Sequence, residues 1–253
     1  MPILYYHRVS DPPPGFARWS KAQRERFLTY DVLPVAFEAQ LDWLLANGYT
    51  TVLPRDLAAA WDRGVPLPPK PVIITFDDGT HDWTRNVLPA LRERGMIAEF
   101  YVTLAALTSG GMSWPELRAI VAAGNGIGSH GYHHWQLTGF GRSRKPFTEA
   151  QMRREVQASR DLLARKLGVV PDSYSYVGGG HDATLRRLVA EAGYTTARSI
   201  SRGRTQDVSR RYLLRVVRVG SRLDVRSVVR GTLVPGLPGF TRLMGGAAAK
   251  PTR

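Results

Sequence analysis

Two carboxylates stand side by side at the end of an apolar run in the stretch PVIITFDDG, residues 71–79. The apolar residues predict a short buried β-strand, because the run is too short for a helix. Asp77 and Asp78 follow this run, and Gly79 is available for a turn. Adjacent carboxylates repel each other and lose hydration wherever a strand end is enclosed. An exposed turn, in which Asp and Gly are common, explains this stretch taken alone equally well.

Three histidines lie close together in the stretch SHGYHHWQLT, residues 129–138. His130 and His134 are four positions apart, so both imidazoles could bind one metal ion from a single turn or tight loop. One added carboxylate would give a site of two histidines and one aspartate with open positions for water. The spacing alone is a weak indication, since surface or core histidines that bond to the backbone also produce it. Four of the six histidines lie at predicted strand ends, however, and these are His7, His130, His133 and His134.

Strand-like runs alternate with helical patterns along the chain, and this order must position the polar residues. Strands are predicted in PILYYH, YTTVLP, PVIITF, AEFYVT, GIGSH, SYSYV, YTTARSI and YLLRVVRV. Helices are predicted in AFEAQLDWLLANG, RDLAAAWDRG, residues 85–94, SWPELRAIVAAG, TEAQMRREVQASRDLLARKLG and DATLRRLVAEAG. Such β–α repetition predicts an α/β fold with a parallel sheet covered by helices. The number of units favours closure into a barrel over a small open sheet.

The chain shows no convincing linker and no internal repeat, so residues 1–231 are expected to form one domain. Residues 12–14 are proline-rich, and together with residues 16–32 they are expected to form one long surface loop. The tail, residues 232–253, is rich in glycine and proline and is expected to be irregular or partly disordered.

A barrel predicts where functional groups should lie, because the C-terminal ends of all its parallel strands meet at one face. The unusual residues of this sequence fall at such strand ends. They are His7 after PILYY, Asp77 and Asp78 after VIITF, His130 after GIGS, and the glycines at 178–180 after SYSYV. We therefore expect these residues to meet in space.

The composition is ordinary for a soluble globular protein, with 43% hydrophobic and 22% charged residues among 253. The absence of cysteine excludes disulfides and thiolate metal sites, so any metal must be held by His, Asp or Glu. Neither a signal peptide nor a run of apolar residues long enough to cross a membrane is recognisable. These features predict a cytoplasmic protein.

The formal net charge of +14 raises the question of an anionic partner. Many of the arginines fall in residues 141–147 and 198–230. Such a surface could attract a phosphate-bearing substrate, a membrane surface or nucleic acid. Compositional bias in a soluble chain is the simpler interpretation. No specific nucleic-acid binding is expected, because no recognised DNA- or RNA-binding motif accompanies the charge.

The stretches TFDDG, SHGYHHWQLT and YSYVGGGHDATLRRLVAEAGY together resemble the polysaccharide deacetylases, carbohydrate esterase family four. The resemblance runs over about residues 2–230 and implies a distorted (β/α) barrel. In the family pattern the first aspartate, Asp77, is the general base. The implied metal ligands are Asp78, His130 and His134, whereas His133 matches no ligand position. Zinc suits this set best, and cobalt, nickel or manganese could use the same ligands.

A bound metal ion would explain why two aspartates can stand side by side at an enclosed strand end. Its positive charge would offset the repulsion between Asp77 and Asp78. It would also lower the pKa of a bound water and polarise an acetyl carbonyl, as hydrolysis of an amide requires. The resemblance therefore favours a functional site over an exposed turn.

Two parts of the sequence depart from the commonest members of the family. The acid that protonates the leaving amine is usually a histidine near the C-terminus, but this chain has no histidine after His181. Its opening, YYHRVSD, resembles instead the N-terminal Tyr-His segment of the permuted branch of the family, which assigns the acid role to His7. An ordinary half-buried histidine at a strand end is the alternative.

The third family motif reads SYSYVGGG in this chain. Val177 replaces the usual proline and Gly178 the aromatic residue after it, although the backbone N–H of Gly178 could still donate to an oxyanion. No arginine lies in this motif to orient Asp77. Comparison with the permuted branch offers Arg215, in YLLRVVRV, for that role, and an exposed strand arginine is the alternative.

The sequence thus predicts a metal-dependent hydrolase that removes the N-acetyl group from an N-acetylated sugar and releases acetate. The substrate could be a glycan, a lipid-linked sugar or a small glycoside, and the basic surface would suit one that bears phosphate. A catalytically degraded relative that only binds glycan is the main alternative. Binding of nucleic acid or a membrane surface through the arginines, as the principal function, is the second.

Overall fold

The computed structural model of the protein describes residues 1–139 and 147–219. The strands in these ranges are β1 (Ile3–Tyr6), β2 (Arg8–Val9), β3 (Asp31–Val32), β4 (Thr50–Thr51), β5 (Pro71–Asp78), β6 (Glu99–Val102), β7 (Gly126–Ser129), β8 (Ser173–Ser175), β9 (Thr196–Arg202) and β10 (Leu214–Arg218). The α-helices there are α1 (Lys21–Tyr30), α2 (Pro34–Ala46), α3 (Pro54–Arg63), α4 (Leu88–Glu93), α5 (Leu104–Thr108), α6 (Trp114–Ala122), α7 (Glu149–Leu167) and α8 (Ala183–Glu191).

Seven parallel strands close into a barrel. Their order is β1-β10-β9-β8-β7-β6-β5, and pairing of β1 with β5 closes the ring. Strand β4 pairs with the first two residues of β5, Pro71 and Val72, and β2 pairs with β3 in a separate two-stranded sheet. The predicted (β/α) barrel is confirmed.

Strand residues alternate between two packing environments, as the period of two in a β-strand requires. Leu4 and Phe76 belong to the large cluster that includes Phe37 and Leu41 of α2, so these side chains fill the layer between strands and helices. Ile3, Tyr5, Ile73 and Val216 form a different cluster on the opposite face of the strands. In a closed barrel that face is the interior. Tyr5 therefore points inward, and so does every second residue along β1.

The helices that cover the barrel begin at caps that the sequence encodes. Thr148 accepts a hydrogen bond from the backbone N–H of Gln151 at the start of α7, which is the predicted capping box. Helix α7 buries Met152, Val156 and Leu163 along one face. Gly168 ends it in the left-handed conformation (φ 70°), which glycine adopts at little cost.

The long surface loop predicted for residues 16–32 is wrong. A short 3-10 helix, Phe16–Arg18, and helix α1 occupy this stretch, and Ser20 with Gln23 forms a capping box at the start of α1. The error arose because α1 is polar over most of its surface. It is held by a few buried residues, including Phe16 and Phe27, rather than by a continuous apolar face.

Two further expectations concern residues that the structure does not describe. The predicted C-terminal tail, 232–253, lies outside the described residues, as does the end of the predicted domain 1–231. Among the residues that are described, no helix has both the length and the apolar character needed to cross a bilayer.

Candidate active site

The parallel strands deliver polar side chains to one end of the barrel. Asp77 and Asp78 are the last residues of β5, and Asp78 is in register with Val102 of β6, which pairs with Ser129 of β7. His130 follows β7 directly. The strand-end residues therefore lie at one level at the C-terminal face, where barrel folds carry their functional groups.

Three of these side chains form a compact group of potential metal ligands. One donor atom from each of Asp78, His130 and His134 lies within 4.8 Å of the other two. Oδ1 of Asp78 is 3.3 Å from Nε2 of His134 and 3.7 Å from Nε2 of His130. The loop thus brings together the two histidines that are four positions apart in sequence, and adds the predicted carboxylate.

A hydrogen bond to the backbone fixes the orientation of His130. Its Nδ1 lies 2.8 Å from the backbone oxygen of Ser175, at the end of β8. A carbonyl oxygen can only accept, so Nδ1 carries the proton and Nε2 presents a lone pair toward Asp78. Burial lowers the pKa of His130, which favours this neutral form. The imidazole is therefore held in the tautomer that a metal ligand requires.

Asp78 and His134 adopt unusual backbone conformations, with φ of 92° and 60°. Non-glycine residues rarely occupy this region, and such strain is concentrated at functional sites. Burial raises the pKa of Asp78, but the hydrogen bond from His134 and the charges of His130 and His7 outweigh it, so the net shift is downward. The same hydrogen bond raises the pKa of His134.

His133 does not join the ligand group and has a structural partner instead. Its Nδ1 lies 2.5 Å from Oε1 of Glu155 on α7. Oε2 of Glu155 accepts hydrogen bonds from the backbone N–H groups of Tyr132 and His133, at 3.2 and 3.0 Å. One buried carboxylate therefore fixes the loop that carries His134. His133 also stacks on Trp135, with ring centroids 4.2 Å apart.

Asp77 lies deeper than Asp78, in the barrel interior. It is ion-paired with Arg198 of β9, and its Oδ2 accepts a hydrogen bond from Oγ of Ser175 at 3.2 Å. Its Oδ2 is also 3.7 Å from Nε2 of His130. This carboxylate is thus held between a guanidinium and a hydroxyl, at the edge of the ligand group.

The arginine that contacts Asp77 is not the one predicted. Arg215 lies on β10, where its aliphatic carbons pack beside Gly203 and its backbone bonds to Gln206. Arg198 projects inward from β9 and takes the position that the sequence had suggested for Arg215. The register decides this outcome, because Leu214 rather than Arg215 is the partner of Arg198.

His7 follows β1 and is partly buried beside two aromatic rings. Its Nε2 is 2.8 Å from the hydroxyl of Tyr5, and its backbone oxygen accepts a hydrogen bond from the indole N–H of Trp83 at 3.0 Å. The ring of Tyr30 packs edge-on against it, with centroids 4.8 Å apart. Burial lowers the pKa of His7 to about 4, although the charges of Asp77 and Asp78 oppose this shift.

Gly178 lies in a short 3-10 turn, Val177–Gly179, which begins two residues after the end of β8. Its φ of 59° is left-handed, a conformation that glycine adopts more readily than an aromatic residue does. The turn follows the strand that carries Ser175, and Ser175 contacts both Asp77 and His130. Gly178 is therefore close in sequence to the site.

The sequence left three contributors unrecognised: Arg198, Ser175 and Glu155. Arg198 stands in the middle of a predicted strand, YTTARSI, and a charge buried there requires a partner. Glu155 is three positions after Met152, on the inward face of the predicted helix α7. Charged residues on apolar faces were the available signal in both cases. Ser175 gave none, since serine is common in strands of every kind.

The donor set fits a divalent metal ion. Two imidazole nitrogens and one carboxylate oxygen are ligands that zinc and related transition metals accept, and fewer than four protein ligands leave positions for water or substrate. His130 shows the tautomer and the outer hydrogen bond that metal-ligating histidines share.

The family model described as polysaccharide deacetylase matches residues 64–197, which is just over half of the chain. The chain belongs to the polysaccharide deacetylase family.

Individual relatives agree with this assignment. The chain is 25% identical over 220 residues to YxkH of Bacillus subtilis (strain 168), a match that covers 87% of this chain and 71% of that one. It is 38% identical over 89 residues to the poly-β-1,6-N-acetyl-D-glucosamine N-deacetylase of Escherichia coli (strain K12), covering 35% of this chain but 12% of that protein.

Solved structures share the fold over nearly the whole chain. The Streptococcus pyogenes deacetylase PplD, solved in complex with acetate, superposes with a TM-score of 0.76 at 19% identity, covering 92% of this chain and 98% of that one. IcaB from Ammonifex degensii gives 0.70 at 23% identity, covering 91% and 94%. At these identities the likeness supports the barrel fold alone.

Proposed function

We propose that the protein is a metal-dependent N-deacetylase of an N-acetylated sugar. The observation that carries this proposal is the convergence of Asp77, Asp78, His130 and His134 at one end of the barrel. Family membership supports the deacetylase class, and the metal requirement and the individual residue roles are our inference. Asp78, His130 and His134 would hold the ion, which we propose to be zinc. When bound, the ion supplies positive charge that polarises the acetyl carbonyl and offsets the repulsion between the two aspartates.

Asp77 is the proposed general base. It is not in the compact ligand group, and Arg198 and Ser175 fix its carboxylate in one orientation. A base must lie within hydrogen-bond reach of the proton that it takes, and a fixed carboxylate beside the ligand group meets that condition for an attacking water. Attack forms the bond between the water oxygen and the acetyl carbon, and Asp77 takes the proton released.

His7 is the proposed acid. Cleavage of the C–N bond leaves an amine that needs one proton, and hydrolysis as a whole consumes none, because the attacking water supplies it. The imidazole of His7 is neutral near pH 7 in the free site, since burial lowers its pKa to about 4. His7 therefore donates to the departing nitrogen the proton that Asp77 first takes from the attacking water, so that both groups regain their starting states. The backbone N–H of Gly178 is the proposed donor to the oxyanion.

The proposed substrate is a sugar with an N-acetylated amine. The match to a deacetylase of poly-β-1,6-N-acetyl-D-glucosamine supports this class. A phosphate-bearing form of the substrate is favoured by Arg202, Arg204 and Arg210, which are exposed at or after the end of β9. Charge reversal of these three residues should raise the KM for a phosphorylated substrate. An unchanged KM would remove phosphate from the proposal.

The test is acetate release from a panel of N-acetylated sugars and oligosaccharides, with protein stripped of metal and reloaded with zinc or cobalt. We expect metal-dependent release that Asp77→Asn and His7→Ala each reduce at least a hundredfold. Asp11→Asn, at an exposed carboxylate, serves as the control. Stoichiometric metal binding with glycan binding but no release would support a degraded, glycan-binding relative instead. No metal binding would overturn the proposal.

A further inference from the structure

Tyr5 contacts the proposed acid directly. Tyr5 and His7 are two positions apart at the end of β1, so both side chains point into the barrel. The Tyr5 hydroxyl is 2.8 Å from Nε2 of His7, and the two ring centroids are 4.6 Å apart. Tyr5 is buried, with 6% of its surface exposed, so water competes little for this hydrogen bond.

The same ring contacts the arginine that holds the proposed base. The guanidinium carbon of Arg198 lies 4.5 Å from the centroid of Tyr5 and 4.7 Å from the centroid of Tyr101. Arg198 is thus held between two aromatic rings while it is ion-paired with Asp77. Its Nε and Nη1 have no hydrogen-bond partner, so the rings and Asp77 are its main contacts.

We propose that Tyr5 is a positioning residue that holds the two proton-transfer groups relative to each other. Its hydroxyl orients His7, and its ring braces the arginine that orients Asp77. This inference rests on the proposed function, because it takes His7 and Asp77 as acid and base. Tyr5 contacts both His7 and Arg198 and so links the two groups.

The hydroxyl of Tyr5 also selects the tautomer of His7. Burial is the main cause that raises the pKa of Tyr5, so the phenol keeps its proton throughout the neutral range. We assign the phenol as the donor and Nε2 of the neutral imidazole as the acceptor, which leaves the imidazole's own proton on Nδ1. The charged and titratable groups that face His7 are Asp77, Asp78, Arg198 and His130. None of these groups is hydrogen-bonded to the ring of His7, so among the described residues the Tyr5 hydroxyl is the hydrogen-bond partner that orients it.

The hydroxyl can be removed without disturbing the ring. Tyr5→Phe keeps the contact with Arg198 and loses only the hydrogen bond to His7. The matched control is Tyr6→Phe, because Tyr6 is the adjacent buried tyrosine of β1 and its hydroxyl donates to Gln40 on the other face of the strand, 2.9 Å away. Both variants lose one buried hydrogen bond, so a general loss of stability affects them alike.

The kinetic test compares two substrates. An N-acetylated sugar needs a proton on its leaving amine, whereas 4-nitrophenyl acetate releases a stable phenolate that needs none. General acid catalysis contributes about 10²–10⁴-fold in rate. We therefore expect Tyr5→Phe to lower the ratio of kcat for the amide to kcat for the ester at least tenfold, with KM within threefold. Tyr6→Phe should leave this ratio within twofold, and an unchanged ratio in Tyr5→Phe overturns the proposal.

A double-mutant cycle tests whether Tyr5 acts through His7. Tyr5→Phe should cost little further amide activity in a His7→Ala background, because the residue that it positions is gone. Additive losses overturn the proposal.

A spectroscopic test keeps this inference separate from the deacetylase proposal. In protein labelled with ¹⁵N-histidine, the His7 resonances should show the Nδ1–H tautomer in the wild type and in Tyr6→Phe. They should show a different tautomer or a tautomeric mixture in Tyr5→Phe. The same tautomer in all three proteins overturns the role of Tyr5 whether or not the protein releases acetate. If the three proteins show the expected tautomers but the wild type releases no acetate, the result contradicts the deacetylase proposal alone.

Discussion

The carboxylate of Asp77 is ion-paired with the guanidinium of Arg198 across the interior of the barrel. The two residues belong to β5 and β9, which are not neighbours in the strand order. Their side chains are 3% and 1% exposed, so both charges are removed from water. Each charge therefore depends on the other, because an isolated buried charge is strongly destabilising. The ion pair therefore links the proposed catalytic base on β5 to strand β9 on the opposite side of the barrel.

Removing one partner of this pair should destabilise the fold. We expect Arg198→Met to lower the free energy of unfolding by about 3–5 kcal/mol, because it leaves the Asp77 charge buried without a partner. The double variant Asp77→Asn with Arg198→Met should recover much of this loss. Urea unfolding followed by circular dichroism measures both values. Arg211→Met, which breaks the partly exposed pair with Asp62, should cost far less. Equal losses at the two sites would contradict the buried-pair interpretation.

The ligand group predicts a difference between adjacent histidines. His134→Gln should reduce the affinity for zinc at least a hundredfold, because it removes one of three ligands. His133→Gln should still bind one ion per chain, since its side chain can keep a hydrogen bond to Glu155. Isothermal titration calorimetry on metal-free protein checks both affinities. If both variants lose zinc equally, the assignment of the ligands is wrong.

Glu155 should support metal binding from outside the ligand group. Its carboxylate fixes the loop that carries His134 by accepting three hydrogen bonds. Substitution of such outer partners commonly weakens metal affinity about 10–100-fold, and we expect this range for Glu155→Gln. Glu149→Gln, on the exposed start of the same helix, is the control and should bind zinc as the wild type does. An unchanged affinity in Glu155→Gln would show that the loop holds its conformation without this carboxylate.

The free energy of unfolding should decrease as the pH rises through the neutral range, because the buried carboxyl group of Glu99 must then lose its proton. This residue is buried at the start of β6, where Oγ of Ser173 donates to its Oε1 at 2.5 Å. Burial raises its pKa to about 8, and the negative charge of Asp172 adds to the shift. Between the unfolded pKa of about 4.3 and this value the folded state binds the extra proton. The contribution of protonated Glu99 to the free energy of unfolding is therefore complete below about pH 4.3 and is lost as the pH rises to about 8.

The magnitude of this loss is at most about 1.4 kcal/mol per pH unit. Glu99→Gln cannot ionise, so we expect a flatter dependence of unfolding free energy on pH and a more stable protein at pH 8. Urea unfolding at pH 5.5, 6.5 and 8 measures the slope. The exposed Glu191→Gln provides the reference slope. Parallel slopes in the wild type and Glu99→Gln would show that Glu99 is ionised in the folded protein at neutral pH.

Much of the barrel could be predicted from the sequence because its signals are local. Caps such as Thr148 with Gln151 and stops such as Gly168 lie within a few residues of what they control. Helix α1 escaped prediction because tertiary contacts of Phe16 and Phe27 hold a largely polar segment in place. The arginine beside Asp77 escaped for a related reason. Arg198 and Arg215 both lie on strands, and the register of β9 and β10 selects the one that points inward.

The sequence by itself determined the order of strands and helices, the strand-end positions of Asp77, Asp78 and His130, and membership of a deacetylase family. These features depend on residue type and spacing along the chain. Only the tertiary structure decided that Arg198 pairs with Asp77, that Glu155 anchors the histidine loop, and that Tyr5 contacts both His7 and Arg198. Apart from that between Tyr5 and His7, these contacts join residues far apart in sequence. Barrel closure and strand register create them, and no local pattern encodes either.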